Sequence, residues 1–360
     1  MVKFGEIARE VRTVWKEMRE GVPVVGLEHI VPGEMELKKY DLPEENTFTK
    51  KFCKGQVLFG RRRAYQKKAT VATFDGICSG DITVIEPIPG MVVPELLPFI
   101  VANDRFFDHA IQGSAGSLSP RVKWEHMANY EFELPTLGEQ KVLSNKLWAA
   151  YRLKEAYQRL LNATDEMEKS QFLEMFGNAK RTPLVDVCLK SGEYGSNSPA
   201  DDYDGNIRYV RITDITDEGN LNNLLVSPRK IEEKYLLVKD DLLFARTGNT
   251  VGKTYLHNEG KMVFAGYLIR YKLNKNIVLP QFAFAYTHTN DYYVWVEKTK
   301  KIGAQPNISA TQYDEMPIPT PPLSEQKAFV SIAEQADKSK FELRKAISAI
   351  DEVIKSLING

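Results

Sequence analysis

The stretch Pro135-Thr-Leu-Gly-Glu-Gln-Lys141 recurs 186 residues later as Pro321-Pro-Leu-Ser-Glu-Gln-Lys327. Five of the seven positions are identical in the two copies. Further matches occur at the same offset or one residue less: Pro120 with Pro306, and Leu58-Phe59 with Leu243-Phe244. Self-similarity at a fixed offset is the signature of an internal repeat. We therefore expect the 360 residues to form two related halves.

A long amphipathic helix is predicted after each copy of the stretch. After the second copy, a heptad seam alternates spacings of three and four. Its positions are Phe329, Ile332, Ala336, Ser339, Leu343, Ala346, Ile350, Val353 and Leu357. The corresponding positions after the first copy are Leu143, Lys146, Ala150, Leu153, Tyr157, Leu160, Thr164, Met167 and Gln171, and Leu147 and Leu161 widen this apolar stripe. Two such helices in a duplicated chain favour packing against each other, and the alternative is that each packs only on its own domain.

Short strands are predicted ahead of each helix. The strand-like runs are 22–27, 56–59, 69–74 and 82–85 in the first half, and 207–212, 241–245, 262–264 and 267–273 in the second. In the last run, Ile269 and Tyr271 alternate with Arg270 and Lys272, which predicts a half-buried strand. Short helices are expected at 95–103 and 281–297. Each half is therefore predicted to be a small mixed α/β domain.

The composition excludes several classes of protein. The chain has 48 basic and 48 acidic residues and is 43% hydrophobic, which does not fit a disordered protein. It contains no run of 18 apolar residues for a transmembrane helix, and its start lacks the layout of a signal peptide. The three cysteines and five histidines form no metal or redox motif. The default expectation is a reduced, metal-free, cytoplasmic protein.

The net charge of zero conceals a strongly basic segment. Residues 50–68 contain eight Lys or Arg, no acidic residue, and three interleaved aromatic residues. Such side chains can neutralise phosphates and reach base edges, so a DNA contact is one interpretation and a solvated charged loop is the other. The predicted DNA-binding residues of this segment are Arg61, Arg62, Arg63, Tyr65, Gln66, Lys67 and Lys68.

Further candidate DNA contacts follow from the repeat. The loop at 246–254 occupies the equivalent place in the second half and is rich in side chains that can read bases. A second basic patch lies at 298–307, and its counterpart in the first half is 113–123. The predicted DNA-binding residues here are Arg246, Thr247, Asn249, Lys253, Lys300, Lys301, Gln305, Asn307, Arg121 and Lys123.

No catalytic site is predicted. The 247–254 loop resembles a phosphate-binding loop, but Thr247 replaces its first glycine, and a strand pattern follows in place of a helix. Neither the proline-rich motif of amino methyltransferases nor a G-x-S-x-G nucleophile elbow occurs. The carboxylate pairs Asp201-Asp202 and Asp240-Asp241 lie in turn contexts, where solvation or capping is expected.

The chain resembles the specificity subunits of type I restriction–modification enzymes over nearly its whole length. The resemblance is strongest in Pro319-Thr-Pro-Pro-Leu-Ser-Glu-Gln-Lys327 and its earlier copy, each leading into a long helix. Next is Gly55-Gln-Val-Leu-Phe-Gly-Arg-Arg-Arg-Ala-Tyr-Gln-Lys67, which looks like the strand and loop of a target recognition domain. Tyr209-Val-Arg-Ile-Thr-Asp-Ile215 and Asp241-Leu-Leu-Phe-Ala-Arg-Thr-Gly248 are similar in kind.

The resemblance implies an α/β (mixed α+β) fold in which two target recognition domains, 1–138 and 178–322, are held apart by antiparallel coiled-coil helices, 139–177 and 323–360. Each domain would read one half of a bipartite DNA site without catalysing a reaction. The residues expected at the helix pair or a partner interface are Glu139, Gln140, Leu153, Tyr157, Leu160, Glu325, Gln326, Leu343, Ile350 and Leu357.

The resemblance also implies partners. Two methyltransferase subunits would bring S-adenosylmethionine for adenine-N6 methylation, and two restriction subunits with ATP and Mg²⁺ could join them. The chain itself would bind no cofactor, and the complex would work on double-stranded DNA in the prokaryotic cytoplasm, at the nucleoid. A subunit of a type IIB-like restriction enzyme, a coiled-coil scaffold that does not read DNA, and a nucleotide hydrolase using the 248–254 loop are the alternatives.

Overall fold

The chain forms two structural units in the computed structural model. The structure describes residues 1–16, 20–43, 45–114, 120–301 and 305–359. The first unit contains residues Met1–Gln158 and the end of the chain from Arg344. The second unit contains residues Arg159–Leu343. Each unit therefore includes part of both long helices. The predicted domain boundaries, which place the helices in segments of their own, remain predictions.

The first unit is a mixed α/β domain. Its strands are β1 (Val2–Lys3), β2 (Ala8–Val11), β3 (Val24–Val25), β4 (Lys50–Phe52), β5 (Val57–Gly60), β6 (Ala69–Val71), β7 (Gly76–Cys78), β8 (Ile82–Pro87) and β9 (Glu131–Phe132). Its helices are α1 (Phe4–Ile7), α2 (Leu97–Val101), α3 (Asp104–Gln112), α4 (Trp124–Ala128) and the first part of α5 (Leu137–Phe176).

Strand β5 lies in an antiparallel sheet of order β2-β8-β5-β6, and a second sheet of order β3-β7-β4 lies in the same unit. Every residue of β5 is buried. Val57 and Phe59 point into the core formed with α2 and α3, whereas Leu58 points into a core shared with Phe52 of β4. Alternation along the strand therefore ties two hydrophobic cores to one strand, and the loop that follows β5 leaves from a rigid support.

The second unit repeats this arrangement. Its strands are β10 (Arg181–Pro183), β11 (Glu193–Tyr194), β12 (Ala200–Asp202), β13 (Arg208–Val210), β14 (Val226–Pro228), β15 (Leu242–Ala245), β16 (Thr254–Leu256), β17 (Met262–Phe264), β18 (Leu268–Tyr271) and β19 (Pro317–Pro319). Its helices are α6 (Pro280–Tyr286), α7 (Asn290–Thr299), α8 (Ala310–Asp314) and the first part of α9 (Leu323–Asn359).

The sheet topology confirms the duplication. The order β11-β18-β15-β16 matches β2-β8-β5-β6, and the parallel pair β13 with β17 matches β3 with β7. The pairs β1 with β9 and β10 with β19 close the two units in the same way. Among the residues that the structure describes, the pair β12 with β14 has no counterpart in the first unit. The mixed α/β fold predicted for each half is therefore confirmed.

Helices α5 and α9 pack together within each unit. In the first unit Lys154 pairs with Asp351 at 2.6 Å. In the second unit the rings of Phe172 and Phe329 lie 5.1 Å apart, and the Lys340 ammonium contacts Glu168 at 2.8 Å. As the residue number rises along α5, the residue number of the partner on α9 falls. The helices are therefore antiparallel, as the resemblance implied.

The seam between the helices differs from the predicted one. Leu153, Leu160 and Met167 were predicted to be in the seam of α5, but they are 45, 52 and 51% exposed. The buried apolar positions of α5 are Leu147 and Leu161, which were predicted to widen the stripe, together with Tyr151, Phe172 and Phe176. On α9, Ser339 is exposed and its neighbour Lys340 is buried. Lys340 can be buried because Asp165 and Glu168 on the facing helix α5 pair with its ammonium group.

Strand β18 is buried on both faces, which corrects the predicted half-buried strand. Arg270, expected to face solvent, is 5% exposed and stacks over the Phe264 ring. Its guanidinium contacts Asp241 at 3.4 Å and Glu193 at 2.9 Å. Solvation or capping was expected of Asp241: it is not solvated but buried beside this arginine, and it accepts a hydrogen bond from Val238 N at 3.0 Å. Burial raises the pKa of Asp241, and Arg270 offsets part of that effect.

The helix predicted at 281–297 is two helices. Helix α6 ends at Tyr286, and the Thr289 side chain accepts a hydrogen bond from Tyr292 N at the start of α7. A threonine at this position is a helix N-cap, which explains the break. Within the described ranges, no helix is both long and apolar enough to cross a membrane.

Candidate nucleic-acid interface

The loops that follow β5 and β15 have the same backbone hydrogen bonds. Arg61 N donates to Asp81 O at 2.9 Å, and Arg246 N donates to Tyr267 O at 3.1 Å. These carbonyls belong to the residues directly before β8 and β18. The first residue of each loop is therefore fixed by the neighbouring strand of its sheet.

A third segment closes each loop. Arg63 N donates to Pro120 O, and Gly248 N donates to Pro306 O, both at 2.9 Å. Each segment returns a bond of 2.9 Å, from Val122 N to Arg61 O and from Ile308 N to Arg246 O. We call these two sets of residues the loop frames: 60–63, 81 and 120–122 in the first unit, and 245–248, 267 and 306–308 in the second.

Each loop also has two residues in the left-handed conformation. They are Arg63 and Lys67 in the first unit, with φ of 55° and 50°, and Gly248 and Gly252 in the second, with φ of 70° and 89°. The conformation suits glycine but costs a residue with a Cβ about 1–2 kcal/mol. The first unit thus holds two cationic side chains at positions where its second copy has glycine.

Asp81 organises the side chains of the first loop frame. Its carboxylate contacts Arg121 at 2.8 Å and Arg62 at 3.3 Å. Burial would raise the pKa of Asp81, but hydrogen bonds and charge from Arg121 and then Arg62 outweigh it and hold this pKa below its usual value. Asp81 is therefore ionised at neutral pH and keeps both guanidinium groups at one edge of the loop.

Arg61 and Arg246 hold equivalent places and share an unusual feature. The Nε of each is buried and has no hydrogen-bond partner among the described residues. Buried donors in folded proteins are nearly always paired, with protein atoms or ordered water, and the same feature occurs at Arg208 Nε outside the frames, so at these two arginines it marks equivalence of position. Arg61 also lines an open cavity of about 580 Å³ with Arg12, Lys50 and Glu10, and Glu10 pairs with Arg12 at 2.8 Å.

The second loop frame carries different side chains. Arg246 stacks over the Tyr194 ring at 4.7 Å and contacts Asn307 Oδ1 at 3.4 Å. Thr247 is buried and forms an antiparallel β-bridge with Asn307, whereas Asn249 is exposed. Lys253 pairs with Asp217 at 2.9 Å. The frame therefore joins Arg246, Thr247 and Asn307, which the sequence had placed in two separate candidate patches.

The remaining predicted contacts lie around the frames. Tyr65 is exposed, Gln66 and Lys68 are half-buried, and Lys67 pairs with Asp104. Lys123 is exposed just before α4. In the second unit, Lys301 and Gln305 are exposed, and Lys300 is drawn to Glu297 at 2.6 Å. Residues 115–119 and 302–304, parts of the predicted patches, lie outside the described residues.

The glutamines of the repeated signature serve their own units. The Gln140 amide accepts from Val93 N at 2.9 Å and donates to Pro135 O at 2.8 Å. Gln326 does the same with Leu279 N and Pro321 O, at 2.9 and 2.8 Å. Both glutamines are buried. Their polar atoms fasten each long helix to the loop before it, and their predicted place at the helix pair or a partner interface remains a prediction.

The other predicted interface residues divide by exposure. Leu153 and Leu160 are exposed on α5, as is Glu325 near the start of α9. Glu139 is exposed and accepts bonds from Thr136. Half-buried positions on the two helices are Tyr157, Leu343, Ile350 and Leu357. The predicted contacts of these side chains with a partner remain predictions.

Asp81 and Tyr267 were not among the DNA-binding residues predicted from the sequence. A usable signal was present, since the two residues are 186 apart and each precedes an apolar strand run. In the described ranges, no group of three or more His, Cys, Asp or Glu is placed to hold a metal ion. The 247–254 loop leads into strand β16, as predicted, and not into the helix that a phosphate-binding loop requires.

The chain is similar in sequence to proteins of type I restriction–modification systems. Residues 179–351 match the model of the type I restriction modification DNA specificity domain. A specificity subunit of the Escherichia coli type I restriction enzyme EcoDI is 24% identical over 111 residues. That alignment covers 31% of this chain and only 24% of the relative, so the chain spans about a quarter of the relative's length.

Solved structures show the same fold over the whole chain. A specificity (S) subunit of a type I restriction–modification system from M. genitalium has a TM-score of 0.59 at 13% identity, with 99% of this chain and 94% of that chain covered. A chain from a study of assembly and conformational transition in a type I system has a TM-score of 0.57 at 17% identity, with 99 and 96% covered. These identities are low, and the likeness is one of fold.

Proposed function

We propose that the chain is a specificity subunit of a type I restriction–modification system and that each of its two units binds one half of a bipartite DNA site. The match of residues 179–351 to the DNA specificity domain of such systems supports this proposal. The observation that carries this proposal is the repeated loop frame. The two frames share their backbone hydrogen bonds but differ in their side chains. One scaffold can thus present two surfaces to two different base sequences.

The charges and donors of the frames suit a DNA duplex. Arg62, Arg63 and Arg121 give the first frame guanidinium groups, which contact phosphates or the O6 and N7 atoms of guanine. Asn307 gives the second frame an amide, the group that pairs with adenine. We assign Arg61 and Arg246 to phosphates, because both are present in the same place whatever the neighbouring side chains are.

We further propose that the chain is not catalytic and works inside a complex. Two methyltransferase subunits with S-adenosylmethionine would methylate adenine N6, and two restriction subunits with ATP and Mg²⁺ would join them in the cytoplasm of a prokaryote, at the nucleoid. The exposed Leu153 and Leu160 on α5 are the proposed contacts for the methyltransferase subunits. A large apolar side chain left in water is the kind that a permanent partner covers.

Charge reversal in the first frame tests the proposal. The variant Arg61→Glu, Arg62→Glu, Arg63→Glu, assembled with the methyltransferase subunit, should lose DNA binding in a fluorescence anisotropy titration. The matched control is Lys3→Glu, Lys39→Glu, Arg105→Glu, which reverses three exposed charges of the same unit outside the frame. Equal affinities of the two variants would contradict a DNA-reading role and favour a scaffold.

A further inference from the structure

The residue directly before β8 and β18 has the same backbone role in both units and a different side chain. Asp81 O and Tyr267 O accept the bonds from Arg61 N and Arg246 N. The next residues, Ile82 and Leu268, donate to Ser79 O and Ala265 O at 3.0 and 2.9 Å. The Cα of residue 81 and that of residue 267 are thus fixed at the same place in each frame.

The side chain of Asp81 acts within its own loop. It is mostly buried and holds Arg62 and Arg121, which would otherwise repel each other. With its carboxylate as a common acceptor, the two guanidinium groups are arranged before any ligand arrives. Asp81 is therefore a positioning residue for the arginines of the first frame.

The side chain of Tyr267, unlike that of Asp81, does not hold other side chains of its own frame in place. It is 61% exposed and makes no hydrogen bond or ring contact within the part of the chain that the structure describes. Its backbone neighbours in the frame are Arg246, Thr247 and Asn307, which are residue types that read bases. An aromatic ring beside such groups can make apolar contact with a base edge, as with the methyl group of thymine.

We propose that residue 81 and residue 267 are equivalent specificity-determining positions: Asp81 arranges two arginines for the first half-site, and the Tyr267 ring contacts a base of the second. This inference rests on the proposed function. It adds two residues to the candidate interface and gives them different modes of action. It also explains how one backbone frame yields two unrelated half-sites.

Selection from a pool of DNA duplexes with a randomised central region tests this inference. The complex with the methyltransferase subunit is used as wild type, Asp81→Asn, Tyr267→Ala and Tyr267→Phe. The matched control is Tyr203→Ala, which removes an exposed tyrosine of the second unit outside the frame. Thermal melting of each variant checks that the fold is retained.

The expected result is a loss of base preference in one half of the motif for each variant. Tyr267→Ala should relax the second half-site and weaken binding to the wild-type motif roughly 5- to 150-fold, the range for one lost base contact. Asp81→Asn should relax only the first half-site. Tyr267→Phe, which keeps the ring, and Tyr203→Ala should select the wild-type motif.

Three results would overturn the inference. If Tyr267→Ala or Asp81→Asn selected the full wild-type motif, the positions would not determine specificity, while the proposed function would stand. If Tyr267→Phe and Tyr267→Ala weakened binding alike with an unchanged motif, the tyrosine hydroxyl would contact a phosphate instead. If the wild-type complex selected no motif, the proposed function would fail together with the inference.

Discussion

At the scale of single residues, the two copies differ most in the loops that follow β5 and β15. Arg63 and Gly248 hold equivalent left-handed positions, and each donates its N–H to a proline carbonyl. An arginine in this conformation lowers the stability of the loop. Such strain persists where the side chain has a use, and the proposed contact of Arg63 with DNA is such a use.

Arg63→Gly should therefore stabilise the fold and weaken DNA binding. We expect the free energy of unfolding to rise by about 0.5–1 kcal/mol, because glycine adopts this φ without strain. Gly248→Ala is the matched control and should lower it by a similar amount, although open space surrounds the position. Urea denaturation measures both changes. A less stable Arg63→Gly variant would show that the side chain serves the fold.

At the scale of elements, each long helix is fastened at its start by a buried glutamine. Gln326 receives the Leu279 N–H and donates to Pro321 O and Ile277 O at 2.8 and 2.9 Å. Gln140 repeats the bonds to the loop and the proline. The repeated glutamine thus sets where each long helix leaves its domain.

Gln326→Ala should destabilise the second unit by at least about 2 kcal/mol, because it leaves a buried N–H and buried carbonyls unpaired. Glu325→Ala, at the exposed neighbouring position, should cost less than about 1 kcal/mol. Urea denaturation of the two variants compares these costs. Equal costs would mean that the glutamine bonds do not hold the helix start.

Sequence patterns predicted the elements better than their environments. Repeats and periodicity placed both long helices and the strands around Leu58 and Leu243, because burial leaves a regular apolar pattern. Ion pairs between residues far apart in the sequence leave no such pattern. Lys340 and Arg270 are buried by partners far away in sequence, so their burial could not be seen.

The candidate site shows the same division. Arg61, Arg62 and Arg63 were visible as a basic cluster, but the segment that closes their loop was not assigned to it. The hydrogen bond of 2.9 Å from Arg63 N to Pro120 O joins residues 57 positions apart. Tyr267 has no charge or motif to mark it, and its offset of 186 residues from Asp81 is the sequence signal that the folded frame makes visible.

At the scale of the whole molecule, the neutral net charge describes a balance between surfaces. The basic frame of the first unit is offset by acidic residues elsewhere, including Glu155 and Glu168 on α5. A chain without net charge has little long-range attraction for DNA. We therefore expect the partner subunits to supply part of the affinity, and the chain to supply the choice of sequence.

The most direct measurement is a map of methylated adenines in the DNA of cells that express the chain with its methyltransferase subunit. A second map follows the exchange of residues 1–138 for the equivalent domain of another family member. We predict a motif of two specified parts around an unspecified spacer, with only one part changed by the exchange. A continuous motif, a change in both parts, or methylation that does not depend on the chain would contradict the account.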